Sequence, residues 1–330
     1  MAAGPPRKIP SIAPVAASID VVVPTHNRYE LTRDCLAHLA RQTVAHRTIV
    51  VDDGSSDDTP ALVRRDWPDA TIVELGANRG YTHAVNRGVS AGDGEYVVLL
   101  NNDVQLRPDC LERLVAPLAD DPKLGSVAAT MLARDERTID SVGVTADVTL
   151  AGFARLQGRP LAEAMLSTPV LAGPEGAAGA YRRLAWEQAD GLDETIVAYM
   201  EILDLALRLR TAGWTTTSAP EACGVHLGSS TYGKRSAGQR RLAGFSRGYL
   251  LRRYGVLRSS ESARTLFTET AVVAGDIALC RDIEALRGRV QGWRAAAGMP
   301  RHPRPPRDAI AESISMWESL RLRRATLRTM

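Results

Sequence analysis

Short unbroken apolar runs alternate with stretches of helical period along the first half of the chain. The sharpest run, Val97-Val98-Leu99-Leu100, stops abruptly at Asn101-Asn102-Asp103. Such a run suits a strand buried on both faces of a parallel sheet. Residues 19–23 read the same way, ended by Pro24, with Thr25-His26-Asn27-Arg28 as the exit loop. Residues 48–51 form a second buried strand ending in Asp52-Asp53-Gly54-Ser55-Ser56-Asp57, and residues 71–75 a third, followed by Asn78-Arg79-Gly80. Between them, Leu31, Cys35, Leu36 and Leu39 recur at helical spacing, a helix runs to about residue 91, and residues 108–118 read as another. Asp57 or Asp58 caps a helix that carries Pro60 in its first turn. Residues 125–131 close the series as a strand. Strand-helix alternation with polar loops at the carboxyl ends predicts a doubly wound α/β sheet.

The second half is less regular. Residues 133–169 hold short candidate strands at 139–144 and 147–153 broken by glycines. Residues 176–183 are a small-residue stretch, suited to close backbone approach or tight packing. A short helix at 184–189 ends at Asp190-Gly191. Over residues 199–208 a 3.6-residue period puts Glu201 and Asp204 on one helical face, with Ile202, Leu205 and Leu209 supplying apolar contacts. Gly213 ends that helix. Residues 214–218 form a strand, and the chain then reaches His226, followed by a Gly/Ser loop. From Lys234 onward arginine is frequent. Arg240, Arg241, Arg247, Arg252 and Arg253 alternate with Leu242, Phe245, Tyr249, Leu250 and Leu251. A basic amphipathic helix of this kind either lies on an anionic membrane or closes over the sheet. Residues 265–280 are apolar but too short to span a bilayer. Residues 300–307 read as a Pro/Arg linker, and residues 308–328 as a terminal helix.

The 330-residue chain is 45% hydrophobic, enough for a sizeable core. Its formal charge of +3 and 5% aromatic content argue against a nucleic-acid partner. Cys35, Cys110, Cys223 and Cys280 are far apart with no CxxC pair, which fits a reducing cytosol. Residues 1–18, rich in Ala and Pro, have no long apolar segment of a secretory signal and are expected to be flexible.

In open α/β sheets ligands bind beyond the carboxyl ends of the strands. Asp103 there can hold a hard cation such as Mg or Mn, shared with substrate phosphates. Asp52 or Asp53 can accept hydrogen bonds from a base or a ribose, and Arg28 or Arg79 can meet phosphate. No GxGxxG follows the first strand and no GxxxxGK[ST] occurs, which disfavours a dinucleotide dehydrogenase and a P-loop NTPase. A sugar nucleotidyltransferase is disfavoured by the lack of a Gly-rich triphosphate loop near the first strand.

The ordered set Val22-Val23-Pro24-Thr25-His26-Asn27-Arg28, Val50-Val51-Asp52-Asp53-Gly54-Ser55-Ser56-Asp57, Asn78-Arg79-Gly80 and Leu99-Leu100-Asn101-Asn102-Asp103 resembles a family 2 glycosyltransferase of the GT-A fold. The chain is similar in tone to rhamnosyltransferase-like members that build bacterial surface polysaccharides. The resemblance covers residues 18–255. It implies a mixed, mostly parallel sheet flanked by helices, with a helical C-terminal tail. It divides the chain into a nucleotide-sugar-binding half at residues 19–132, an acceptor-binding half at 133–233 and a basic helical extension at 234–330.

The same resemblance implies that Pro24, Thr25, Asn27, Arg28, Asp52, Asp53, Asn78, Gly80, Asn101 and Asn102 line the nucleotide pocket. Asn101 to Asp103 takes the place of the metal motif, with only Asp103 acidic, and His226 ligates the metal or meets the diphosphate. It implies a dTDP- or UDP-sugar donor, a glycan or lipid-linked acceptor, inversion at the anomeric carbon, and a cytoplasmic enzyme with a peripheral contact at the inner face of the membrane. The family's base is an Asp directly after a Glu, and here that position is Ile202, which takes no proton. Glu201 or Asp204 then serves as the base, the helix register shifts, or the protein is a catalytically impaired binding scaffold.

Overall fold

The structure, a computed structural model, describes residues 18–228 and 236–329. Most of the expected flexible N-terminal segment, the loop from Ser229 and the start of the basic extension at Lys234 lie outside the described residues.

The apolar runs form β1 (Ile19–Thr25), β2 (Arg47–Asp52), β3 (Thr71–Glu74) and β4 (Tyr96–Leu100), joined by α1 (Tyr29–Leu39), α2 (Thr59–Asp66) and α3 (Tyr81–Ser90). Then come β5 (Val104–Leu106), α4 (Cys110–Asp120), β6 (Leu124–Leu132), β7 (Ile139–Ser141), β8 (Val144–Ala146) and β9 (Gly152–Ala154). β10 (Ala178–Arg182), α5 (Arg183–Gln188), α6 (Glu201–Thr211) and β11 (Thr215–His226) complete the sheet region. The tail is α7 (Ala237–Arg253), α8 (Ser262–Cys280), α9 (Glu284–Ala295) and α10 (Met316–Thr329).

The main sheet runs β3-β2-β1-β4-β10-β6-β11-β5, with β7 paired to β6. β1 to β4 are mutually parallel, as are β6 and β11, and β10 lies antiparallel between β4 and β6. The register Thr25↔Asp52 aligns the carboxyl ends of β1 and β2, and Val22↔Leu99 brings the end of β4 beside them. Every residue of β4 is buried, because the strand is covered on both faces and flanked on both edges. α3 lies close on β1 and β2, where a Cβ on Gly88 would come within 2.7 Å of Val51 Cγ2. Leu111, Leu114 and Leu118 of α4 are fully buried in the core beneath β6 and β11. Truncating one of them to Ala would cost about 2–5 kcal/mol.

The four cysteines are free thiols. Asp57, rather than Asp58, accepts from the Thr59 amide and so caps α2 (3.0 Å).

The sequence left two placements open for α7. α7 was a candidate for lying on a membrane surface, but Arg247, Tyr249, Leu250 and Leu251 are buried. Its Gly244 and Gly248 pack against backbone of α9, and the α9 glycines Gly288 and Gly292 pack against backbone of α7. Absent side chains let the two helices approach backbone to backbone. The C-terminal half of α7 is thus internal, packed on α9 and against β8 and α6.

Candidate functional site

A cavity of about 620 Å³ opens where the parallel strands end. Pro24, Thr25, Arg28, Asp53, Asn78, Gly80, Asn101, Asn102 and Asp103 lie in its wall, as do His226 and Glu201. Residues from distant parts of the sequence therefore share one crevice.

On the strand-end side, Asp53 is buried and its two carboxylate oxygens accept from the amides of Arg79 (2.7 Å) and Gly80 (2.9 Å). This fixes the start of α3. Gly80 has φ 93°, and a Cβ there would meet Val197 Cγ1 at 2.6 Å. Asn102 donates to the hydroxyls of Thr25 (3.2 Å) and Thr32 (3.1 Å), tying the end of β4 to β1 and α1. Asn27 and Arg28 both hold left-handed backbone angles, φ 57° and 59°. Non-glycine residues rarely adopt these angles, and such outliers cluster at ligand sites.

Two residues expected on the nucleotide side lie off the cavity wall. Asn27 is not in the cavity wall, because its side chain accepts from the Ser56 amide (2.8 Å) while its own amide donates to Ser55 (2.7 Å). Asp52 is also outside the wall. It is buried, and its Oδ2 accepts from the Ser55 amide (3.0 Å), which closes the turn after β2, while its Oδ1 is buried without a hydrogen-bond partner. The exposed Arg79 contributes its amide to Asp53, and its side chain is not in the wall either.

Asp103 and His226 meet through strand pairing. β5 and β11 are antiparallel with Val104 opposite His226, and the Leu227 amide donates to the Asp103 carbonyl (3.0 Å). His226 Nε2 lies 3.4 Å from Asp103 Oδ1, while Nδ1 lies 2.7 Å from Asp140 Oδ2. Burial alone would lower the His226 pKa, but the hydrogen bonds to Asp103 and Asp140 outweigh it and raise it to about 10. Among the described residues no cluster of three or more His, Cys, Asp or Glu forms a complete metal cage. One carboxylate beside one imidazole, oriented from behind by a second carboxylate, suits a divalent cation that would displace the Nε2 proton and take its remaining ligands from substrate oxygens and water.

Opposite, Tyr199 and Met200 adopt φ 65° and 66° and set Glu201 at the first position of α6. Glu201 Oε2 is sealed from solvent and has no hydrogen-bond partner. Burial raises its pKa to about 7, with the nearby charge of Glu175 adding to the shift. Ile202 is 5% exposed and packs with Leu205 and Leu209 in the core under the sheet, its edge reaching the cavity.

Asp204, expected as an alternative base, is corrected. It is fully buried and outside the cavity wall. One oxygen pairs with Arg208 Nε (2.7 Å) and the other accepts from Tyr254 (3.0 Å). Arg208 in turn donates to the carbonyls of Ala189 and Gly191, so the pair clamps the turn before α6.

Sequence reasoning missed Asp140, Glu175, Tyr81 and Gln239, all in the wall. Glu175 accepts from the Ala177 amide (2.9 Å), and the Tyr81 hydroxyl lies 3.4 Å from the Gly176 carbonyl. Glu175 directly precedes the small-residue stretch, which was the available signal. Asp140 sits in a three-residue strand between buried Ile139 and Ser141, a pattern too short to read.

Residues 20–178 match the model of glycosyl transferase family 2. An N-acetylglucosaminyl-diphospho-decaprenol L-rhamnosyltransferase of Mycobacterium tuberculosis is 28% identical over 211 residues, 57% of this chain and 69% of that protein. A poly-beta-1,6-N-acetyl-D-glucosamine synthase of Staphylococcus aureus is 30% identical over 124 residues, 37% of this chain and 30% of the relative. Among solved structures, a mannosyltransferase of Pyrobaculum calidifontis in complex with GDP-Man and Mn2+ superposes with TM-score 0.52 at 22% identity, covering 88% of this chain and 90% of that one. GalNAc-T7 with UDP, GalNAc and Mn2+ gives TM-score 0.52 at 13% identity, covering 77% and 54%. These two structures share the fold.

Proposed function

This chain carries a family 2 glycosyl transferase domain of GT-A fold and is a nucleotide-sugar-dependent glycosyltransferase; from that premise we propose an inverting transfer in which Glu201 is the base and Asp103 and His226 hold a divalent cation, Mg or Mn. The observation that carries this reading is Glu201, which lies in the wall of the same cavity as the Asp103–His226 pair and whose buried Oε2 has no hydrogen-bond partner. The Mn2+ in the mannosyltransferase complex supports the choice of cation.

The donor's nucleoside diphosphate belongs at the strand ends, against Thr25, Arg28, Asp53 and Asn101, with residues 19–132 as the donor half. Residues 133–233 form the acceptor half, and the acceptor is a glycan or a lipid-linked sugar. The rhamnosyltransferase relative is named for an N-acetylglucosaminyl-diphospho-decaprenol acceptor, which favours the lipid-linked class. The donor in this reading is a dTDP- or UDP-sugar.

The acceptor hydroxyl oxygen forms a bond to the anomeric carbon as the bond from that carbon to the diphosphate oxygen breaks on the opposite face. The proton leaves the hydroxyl for the Glu201 carboxylate. The cation, when bound, supplies charge neutralisation to the departing diphosphate. Arg28 reaches the donor side with a second positive charge, and Asn102 and Asp53 keep the loops around the donor fixed.

A panel of nucleotide sugars assayed with Mg or Mn tests the reading. Transfer or donor hydrolysis with one sugar, lost in Glu201→Gln while nucleotide binding persists, is the expected result. Tight nucleotide binding with no turnover on any donor would return the binding-scaffold reading that Ile202 motivates.

A further inference from the structure

α8 is built inside out. Its inward positions are Thr265, Thr268, Glu269 and Asp276, with Thr265, Thr268 and Asp276 buried. Glu269 meets Arg247 (2.8 Å), Arg289 (2.9 Å) and Arg323 (2.5 Å), so polar groups satisfy the inner face. Its outward positions are apolar: Leu266 is 56% exposed, Phe267 48% and Leu279 76%. From Leu266 to the helix end the only charged side chains are Glu269 and Asp276, both turned inward. A helix facing water normally shows the reverse arrangement. Scattered exposed apolar residues are ordinary, but a charge-free face on a helix with a polar interior marks an interaction surface.

Three observations select the partner. Trp317 of α10, 68% exposed, stands edge-on to Phe267 at 6.1 Å between ring centroids, giving the surface the aromatic pair that suits a membrane–water boundary. Exposed Arg281 directly follows α8, Arg294 is exposed in the last turn of α9, and arginines outnumber carboxylates over residues 281–330. That charge complements anionic headgroups. The opposite side of the same layer belongs to the site, since Val272 and Asp276 of α8 and Ala285 and Arg289 of α9 line the cavity that holds Glu201. No helix among the described residues is long and apolar enough to cross a bilayer.

We infer that the outer face of α8, with Phe267 and Trp317 at its centre, docks on an anionic lipid bilayer, so that the cavity behind α8 and α9 opens at the membrane surface. The inference rests on the lipid-linked acceptor reading only for its purpose; the docking itself is testable without turnover.

The experiment uses the full chain and vesicles of phosphatidylcholine alone or mixed with phosphatidylglycerol. Co-sedimentation with the anionic vesicles, weakened by salt, and a blue shift of tryptophan emission that Trp317→Phe removes, are expected. The double variant Leu266→Ser with Phe267→Ser should keep its melting temperature and its donor hydrolysis, and lose about tenfold or more of its vesicle partitioning. Wild-type protein left in the supernatant with both vesicle types overturns the inference, as does a double variant that sediments like wild type. A wild-type dimer by light scattering that the double variant turns into a monomer, with no vesicle binding by either, also overturns it in favour of a second copy of the chain. None of these failures touches the proposed reaction, which the donor panel tests separately.

Discussion

The His226 imidazole stands 3.4 Å from the Asp103 carboxylate because β5 folds back antiparallel to β11 and sets His226 opposite Val104. Asp140, from the adjoining β7, holds the other ring nitrogen at 2.7 Å. The pairing sets an imidazole beside the single acidic residue after β4, and in the proposed reading that imidazole serves as the second ligand of the cation.

Metal affinity should follow this arrangement. Asp103→Asn or His226→Ala should abolish measurable Mn2+ binding by calorimetry, and chelation should stop turnover of the wild type. Asp140→Asn keeps both ligands but loosens the ring, so its Mn2+ affinity should fall by about 10- to 100-fold. Unchanged affinity in all three variants would remove the cation from this corner of the cavity.

With Glu201 as the proposed base, the pH dependence of the reaction follows from its carboxyl group. Its carboxylic acid holds its proton up to about pH 7, because burial disfavours the charged form. A base must be ionised, so kcat/KM should rise as pH rises through about 7 and level off above it. Glu201→Gln should lose that rising limb and about 10²- to 10⁴-fold in rate. Stability runs the other way. The folded pKa exceeds the ordinary value of 4.5, so the folded state binds the extra proton and loses stability as pH climbs from about 4.5 to 7. Above that window Glu201→Gln should therefore be more stable than wild type, by roughly 1–3 kcal/mol in urea titrations.

Asp204 should behave oppositely. Asp204→Asn leaves Arg208 and Tyr254 without their carboxylate in a fully buried position. It should cost about 3–5 kcal/mol, while kcat per folded molecule stays within a few fold of wild type. A variant that melts normally but has lost transfer would reinstate Asp204 as the base.

The strand ends were legible because a parallel strand buried on both faces leaves an apolar run that stops at polar residues, as 97–100 stops at Asn101. Those stops named Asp53, Asn101 and Asp103 without any knowledge of packing. The sequence could not place Asp52 and Asn27 relative to the cavity, because turn-closing side chains and ligand-facing ones are the same residue types at the same strand ends. Asp204 misled because helical spacing tells which face a residue shares with Glu201, but not that Tyr254 and Arg208 cover it. Asp140 and Glu175 were illegible, since their positions depend on pairing between short strands far apart in sequence. The burial of α7 was hidden for a related reason: its four arginine-rich turns read as a solvent face, while Gly244 and Gly248 were the sign of a close helix crossing.

The last prediction concerns how the tail is held on. Glu269 accepts from Arg247, Arg289 and Arg323, and Arg247 also donates to the Leu150 carbonyl (2.8 Å) and the Thr149 hydroxyl (3.2 Å) in the turn between β8 and β9. One carboxylate therefore joins α7, α8, α9 and α10 to the β8–β9 layer. Burial alone would raise its pKa, but the three guanidiniums hold it far below the ordinary carboxylate range. A depressed folded pKa means the stabilisation is complete above the ordinary value of 4.5 and is lost as pH falls below it. Glu269→Gln leaves three cations facing one another, Arg247 only 4% exposed, and should cost about 3–5 kcal/mol at pH 7. The difference between variant and wild type should shrink as urea titrations move from pH 7 toward pH 4, because the wild-type contribution begins to fade there. A constant difference across that range would mean that Glu269 acts through packing and not through its charge.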